Sequence, residues 1–492
     1  MKKKCLLLVA IPLIIASCGG HKSPSSDESQ QDSSEISSSL DSSEAQPSSQ
    51  KDSSAQSTFE HASSSQGGSS SIDETGYELN FESMLMKDEN GEYLHLSYRI
   101  PDAYFSFSHP STTFKKELAV ASLAFVTTVP YKEKIKEAYE YYGFDNLVYS
   151  PDYELEETKD TLKYTIGHKE LDNGDLINIS ISGCDYQKPW ESNFIAGQTG
   201  NHAGFQVGVD KIMPTINTYL GNYDMENTKV YINGYSRSAA VGNIVSTLLI
   251  DNETVKEENL YAYLLETPKG LDDSNDKEYK SIFNVFNSAD VITYVAPSDY
   301  GLKRAGIDID INKENADSLL LAFNPSLKMP AFTPYDEGDM KFSNDEEFIN
   351  WLISYLLTPI EDEESLDKDL SNRENYYSNA QAYFSYIIGL VFSLPDEVRA
   401  DISNEFSKLG MMDMFALLQE DGPYNFLSPI LDRNGFEYNK DELKAKSNGV
   451  LGILMQKPTI VMMMASEQMK SNLMRIVYYH TLEANLPLLI NL

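Results

Sequence analysis

Apolar and polar positions divide the 492-residue chain into distinct regimes. Lys2, Lys3 and Lys4 precede an apolar run from Leu6 to Ile15. From Gly19 to about Thr75, serine, glutamine and acidic residues leave almost no apolar positions. From Tyr77 to Asn312, short runs with a spacing of two alternate with runs spaced by three and four, the periods of strand and helix. From 313 to 465 helical spacing dominates, and residues 466–492 return to a short apolar run followed by a helix-like tail.

Within the alternating region, Asn80–Met86 and Tyr93–Ile100 predict a hairpin about Asn90-Gly91, and Leu162–Leu171 and Leu176–Ser182 a second about Asn173-Gly174. Phe114–Thr128, Tyr131–Tyr142 and Ala203–Leu220 predict helices. Lys229–Asn233, Leu260–Leu265, Ser281–Asn287 and the alternating Ile307, Ile309 and Ile311 predict strands. Strands interleaved with helices imply an α/β fold on a mainly parallel sheet, with the ligand site beyond the carboxyl ends of the strands. Glu346–Leu357, Asn375–Leu394, Asp396–Leu409, Met411–Glu420 and Ile460–Met474 predict helices of an insertion spanning 313–465. Its methionines (Met411, Met412, Met414, Met462, Met463, Met464) suit a core, or less commonly a lid over an acyl pocket.

The rest of the chain is organised around Thr228 to Ile250, where the period switches from two to helical at one residue. At the switch stands Gly234-Tyr235-Ser236-Arg237-Ser238. A serine at so sharp a strand-to-helix turn is lifted off the sheet edge, provided the residues two before and two after are small. Gly234 and Ser238 meet that need, and Ala239, Ala240 and Gly242 let the following helix approach the sheet. Such a pentad also arises in ordinary strand-helix turns, so Ser236 is a nucleophile candidate only with partners further along.

Composition narrows the field. With 41% hydrophobic residues a large core is possible, and 75 acidic against 39 basic residues give a formal charge of -36. That excess excludes nucleic acid as a partner and adhesion to anionic lipid by charge alone. Of 3 cysteines, Cys5 and Cys18 belong to the N-terminal segment, so Cys184 is the one thiol expected in the mature chain, without a disulfide. Cysteine and histidine lack metal-ligand spacing, and no cofactor is expected. Asp308-Ile309-Asp310-Ile311-Asn312 is no calcium loop, because Lys313 and Leu319 replace the required Gly and Glu.

The lysines and apolar run at the start form an export signal over residues 1–17, too short to span a bilayer stably. The sequence Ile15-Ala16-Ser17-Cys18 resembles the bacterial lipobox, which implies diacylglycerol on Cys18. Residues 18–76 cannot bury enough apolar surface to fold and read as a tether with a reach on the order of 40 Å. The chain is thus expected at the cell membrane, lipid-anchored, with a monomeric globular part facing outward.

A serine nucleophile needs a base that titrates near neutrality. Of 7 histidines, His21 and His61 lie in the tether, His95 and His168 in strand patterns, and His109 ahead of the sheet. His202 and His480 remain. His480 is favoured because it follows the last apolar run, at the loop position where a base is expected. An orienting acid should end a strand between nucleophile and base in the chain, and Asp290 does so.

These residues, with Phe114–Leu118, Ser182-Gly183-Cys184-Asp185, Trp190, Asn193-Phe194, His202-Ala203-Gly204-Phe205 and Asn287-Ser288-Ala289-Asp290, resemble the class 3 lipase family of α/β-hydrolases, especially its bacterial lipase-like members. The likeness covers about 110–310 and the tail at His480. It implies an α/β-hydrolase core over 77–312, completed by 466–492. It also implies Ser236 as nucleophile, Asp290 as acid, His480 as base, and an oxyanion hole from the backbone N–H groups of Arg237 and Cys184. The chain departs from the family where Ser182-Gly183-Cys184 replaces the usual Arg-Gly-Thr and Ser238 the usual Gly. The expected activity is hydrolysis of carboxylic acyl esters through an acyl-enzyme, with acyl lipids as the expected substrate. A binding lipoprotein that keeps the fold without the chemistry is the alternative, and a peptidase or thioesterase on the same scaffold a third.

Overall fold

The computed structural model describes residues 75–87, 93–182 apart from 157 and 159, 193, 197, 199–294, 301–312, 419–455 and 479–492, with isolated positions between 390 and 417. The signal and tether, the Asn90-Gly91 turn, Cys184 and Trp190 lie outside the described residues, as does most of the expected helical insertion.

The described elements, in chain order, begin with β1 (Gly76–Lys87), β2 (Tyr93–Pro101), α1 (Lys116–Val126), α2 (Lys132–Tyr141) and β3 (Asp145–Tyr149). They continue with β4 (Tyr164–Leu171), β5 (Gly174–Ile181), α3 (Ala203–Leu220), β6 (Thr228–Tyr235), α4 (Arg237–Asp251) and β7 (Leu260–Leu265). Then come β8 (Leu271–Asp272), β9 (Ile282–Phe286), β10 (Leu302–Lys303), β11 (Ile307–Asp310), α5 (Gly422–Arg433), α6 (Lys440–Met455) and α7 (Leu482–Ile490).

A 7-stranded sheet runs in the order β11-β9-β7-β6-β5-β4-β3. From β5 to β11 every neighbouring pair is parallel, while β4 pairs antiparallel with both β5 and β3. This mainly parallel sheet with helices on both faces is an α/β-hydrolase-like fold. The two-residue turn between β4 and β5 is Asp172-Asn173, one position before the expected Asn173-Gly174, because Leu171 pairs with Gly174. Gly174 is required there: its φ is +102°, and a Cβ would stand 2.0 Å from the Asn227 carbonyl oxygen.

The period-2 alternation of the central strands separates two cores. Val230, Ile232, Leu260, Ala262 and Leu264 face α3 and α4, where Phe205, Val209, Val241, Ile244 and Val245 meet them. Tyr231, Tyr235, Tyr261, Tyr263 and Leu265 face the other way, toward α1, α7 and the β1-β2 hairpin. Tyrosine suits a buried face only if its hydroxyl is bonded. Tyr231 donates to Leu118 O (3.0 Å), Tyr261 to His109 O (2.7 Å), and Tyr263 accepts the Lys115 N–H (3.1 Å). These bonds pin the segment leading into α1 against the sheet. Ala484, Leu486, Leu488 and Leu489 of α7 join the same core, which seats the C-terminal tail beside β6.

Candidate active site

The elbow forms because β6 ends in a turn only one residue long. Ser236 takes φ 59° and ψ -129°, a conformation that β-carbon-bearing residues adopt only when their surroundings impose it. Its N–H is held by Leu265 O (2.9 Å), and its carbonyl accepts the N–H groups of Ala239 (2.9 Å) and Ala240 (3.2 Å) as α4 starts. A Cβ on Gly234 would come 2.8 Å from the Ser238 carbonyl oxygen, so alanine there would displace the elbow. Ser238 also acts locally: its Oγ accepts the Tyr235 N–H (2.9 Å) and donates to Tyr235 O (2.8 Å).

The structure brings Ser236, His480 and Asp290 together. His480 Nε2 lies 2.9 Å from Ser236 Oγ, and His480 Nδ1 lies 2.6 Å from Asp290 Oδ2. With Nδ1–H donated to the carboxylate, Nε2 is left to accept the serine hydroxyl proton. Asp290 Oδ1 accepts the Ile292 N–H (2.9 Å), which fixes the carboxylate plane. All three groups are buried, at 1%, 2% and 0% exposure in the order given, so their mutual bonds face little competition from water.

The tail bearing His480 is strapped to the elbow. Tyr235 OH donates to His480 O (2.7 Å), and Asn485 Nδ2 donates to Tyr479 O (2.7 Å) and to Tyr235 OH (3.4 Å). Asn287 reaches Asn485 Oδ1 at 3.5 Å and accepts the Ala289 N–H at 2.9 Å, linking the acid's turn to the same tail.

Arg237 opens α4, so its backbone N–H belongs to the helix end whose dipole favours negative charge. Its side chain is buried and donates to Thr161 O (3.3 Å). Cys184 lies outside the described residues. His202 is not a partner of Ser236; it caps α3, stacks on Phe205 with centroids 4.0 Å apart, and its Nε2 lies 3.2 Å from Asn193 O. His168 is clasped by Asp145 (2.9 Å) and Asp175 (2.7 Å) at the sheet edge. The carboxylates at 308 and 310 have local uses: Asp308 pairs with Arg304 (2.8 Å), and Asp310 accepts the N–H groups of Ser288 (3.1 Å) and Asn312 (2.8 Å).

One residue at this corner is absent from the sequence-based set. Glu266, directly after β7, is 1% exposed with φ 50° and stands against Asp290. Burial first, then the charge and hydrogen bond of Asp290, hold its carboxyl well above the usual carboxylate range. In the sequence it is only an acid after the apolar run Leu260–Leu265, and the register of β6 with β7 is what brings it level with Ser236. Among the described residues no group of three or more His, Cys, Asp or Glu could hold a metal ion, and no helix is long and apolar enough to cross a membrane.

No model of a protein family matches the chain, and no curated protein matches it in sequence. Solved structures resemble part of it. A fungal lipase captured with an inhibitor shares 13% identity, over 39% of this chain and 77% of that one, at a TM-score of 0.32. The lipase of Rhizopus microsporus var. chinensis shares 15%, over 39% and 73%, at 0.31. The Rhizomucor miehei triacylglyceride lipase shares 15%, over 41% and 83%, at 0.31. A likeness this loose assigns no chemistry to the chain.

Proposed function

We propose that the protein is a serine hydrolase of carboxylic acyl esters, lipase- or esterase-like, working through an acyl-enzyme. The observation that carries the reading is the unbroken bond path Ser236 Oγ, His480 Nε2, His480 Nδ1, Asp290 Oδ2, with contacts of 2.9 and 2.6 Å. Ser236 Oγ attacks the ester carbonyl carbon while His480 Nε2 takes its proton, and Asp290 stabilises the imidazolium. The tetrahedral oxyanion collapses, the C–O bond to the alcohol breaks, and His480 returns the proton to the departing oxygen. Water then repeats the sequence on the acyl-enzyme, releasing the acid and restoring Ser236. The N–H of Arg237, and that of Cys184 by resemblance, are the donors we assign to the oxyanion.

The same contacts weigh against the alternative of a binding protein that has lost its chemistry, since a base within reach of an elbow serine serves no purpose in a mere scaffold. We further propose, on the sequence of residues 1–76 alone, anchoring to the cell membrane through lipid on Cys18, with the hydrolase monomeric and outward-facing.

Fluorophosphonate labelling and hydrolysis of short acyl esters test the reading. Wild type is expected to label and cleave, and Ser236→Ala to do neither while keeping its circular dichroism spectrum. A folded wild type that does neither overturns it. A panel of ester, thioester and peptide substrates separates the esterase from its relatives in mechanism.

A further inference from the structure

Neighbouring strands deliver three groups to the carboxyl end of the sheet: Ser236 after β6, Glu266 after β7 and Asp290 beyond β9. The first and last have a task in the hydrolase reading, and Glu266 has none. It is nevertheless built in. Its N–H bonds Val285 O (2.9 Å), and both carboxyl oxygens lie 3.2 Å from the Asn287 N–H, in the turn that carries Asp290. Its carboxyl therefore shares this buried corner with that of Asp290, three residues beyond Asn287 in the same turn, at 1% and 0% exposure. A buried glutamate is ordinarily paired with a cation. Among the described residues, the ion pairs of this corner are Arg304 with Asp308 and His480 with Asp290, and neither includes Glu266.

Two carboxyls buried at one corner cannot both ionise cheaply, and a proton kept by one can be donated to the other. Asp290 is the one engaged by His480 Nδ1 and by the Ile292 N–H, both of which favour a carboxylate. The groups facing Glu266 are Asp290 at the end of β9 and Asp310 at the end of β11, with His480 beyond Asp290. Arg304, held by Asp308, reaches the neighbouring Thr267 carbonyl (3.1 Å).

We propose, resting on the hydrolase reading above, that Glu266 is a positioning residue of the site. It carries a proton that it donates to Asp290, extending the Ser236–His480–Asp290 chain to four groups that share one permanent negative charge. The donated bond fixes the orientation of the Asp290 carboxylate and disperses part of its charge. The imidazolium formed during attack is then held firmly enough to form but not so firmly that it persists, which keeps the site working on the acid side of neutrality.

The test uses the full chain as wild type, Glu266→Gln and Glu266→Leu, with fluorophosphonate labelling rates measured across pH and infrared spectra recorded at neutral pH. Glu266→Gln retains an N–H donor toward Asp290 and is expected to label within about threefold of wild type. Glu266→Leu, with no donor, is expected to label about tenfold more slowly, with its acid limb displaced to higher pH. Wild type should show the carbonyl stretch of a protonated carboxylic acid, absent from Glu266→Gln. A wild type without that band overturns the proposal, as does a Glu266→Leu profile of unchanged shape. Should Glu266→Leu fail to fold, a collapse of labelling in Glu266→Gln overturns it equally. The infrared band needs no turnover: an inert wild type that carries it retires the hydrolase reading and leaves the proton on Glu266.

Discussion

The phenol of Tyr235 donates to the backbone carbonyl of His480 at 2.7 Å, joining residues 245 apart in sequence. The residue before the elbow serine therefore holds the main chain of the residue proposed as its base. Because β6 fixes Tyr235 in the sheet, the strap ties the His480 ring to the same rigid element that carries Ser236 Oγ. Asn485, bonded to both the Tyr479 carbonyl and the Tyr235 hydroxyl, keeps the tail from pivoting about that single bond.

Tyr235→Phe removes the strap and little of the packing. Loss of the phenol's two hydrogen bonds, to His480 O and from Asn485 Nδ2, costs about 1–2 kcal/mol, and a base free to drift from its 2.9 Å contact is placed correctly less often. In steady-state hydrolysis of a short acyl ester, kcat is expected to fall about tenfold with KM nearly unchanged. A rise in KM at constant kcat would point to a role in substrate binding instead.

Strain at Ser236 is separable from its chemistry. The pair φ 59°, ψ -129° is open to glycine and unfavourable for any residue with a Cβ. Ser236→Gly and Ser236→Ala both lose the hydroxyl, and only the first relieves the backbone. Ser236→Gly is expected to be the more stable of the two by about 1 kcal/mol in urea unfolding, with both inert toward ester. Equal stabilities would show that the turn is not strained.

Much of the geometry at this corner is legible in the sequence, because its determinants are local. A change of period at Ser236, small residues at Gly234 and Ser238, and an acid ending a strand at Asp290 are all neighbour-to-neighbour signals. His480 emerged by elimination among few histidines. What escaped has no local mark. Glu266 looked like an ordinary strand end, since its meaning depends on Asp290 from another strand. The Tyr235–Asn485–Asn287 contacts join distant segments. Strand β3 is not legible in the sequence because an edge strand with a graded rather than alternating exposure carries no period of two. Helices α5 and α6 fall within the 313–465 stretch expected to be mostly helical, but without bounds of their own, since Pro423, Pro429, Gly449 and Gly452 interrupt the period; Pro423 sits in the first turn, where its missing N–H is harmless.

Ser238 latches the elbow through its hydroxyl. Its hydroxyl bonds both the N–H and the carbonyl of Tyr235, closing the elbow from the helix side. Ser238→Ala should lower stability by about 1–2 kcal/mol and slow fluorophosphonate labelling, since the turn that aims Ser236 Oγ loses two bonds at once. Differential scanning calorimetry with parallel labelling checks both; a variant as stable and as reactive as wild type would remove the latch from the account.

Glu266 also makes stability depend on pH, and the sign is fixed. Its carboxyl is held well above its ordinary 4.5 by burial and by Asp290. Between 4.5 and that raised value the folded chain keeps a proton that the unfolded chain releases. The stability tied to this proton is complete below the ordinary value, declines as pH rises, and is lost once pH passes the folded value. Glu266→Gln keeps the shape and has no proton to lose. Its stability relative to wild type should therefore grow steadily as pH rises above the ordinary carboxylate value, by about 1.4 kcal/mol for each pH unit in which only the folded state is protonated. Urea unfolding of the two proteins at several pH values measures the difference directly, with every other titrating group cancelling. A difference that stays flat with pH would mean that Glu266 ionises alike in both states, and the shared proton at the end of β7 would go with it.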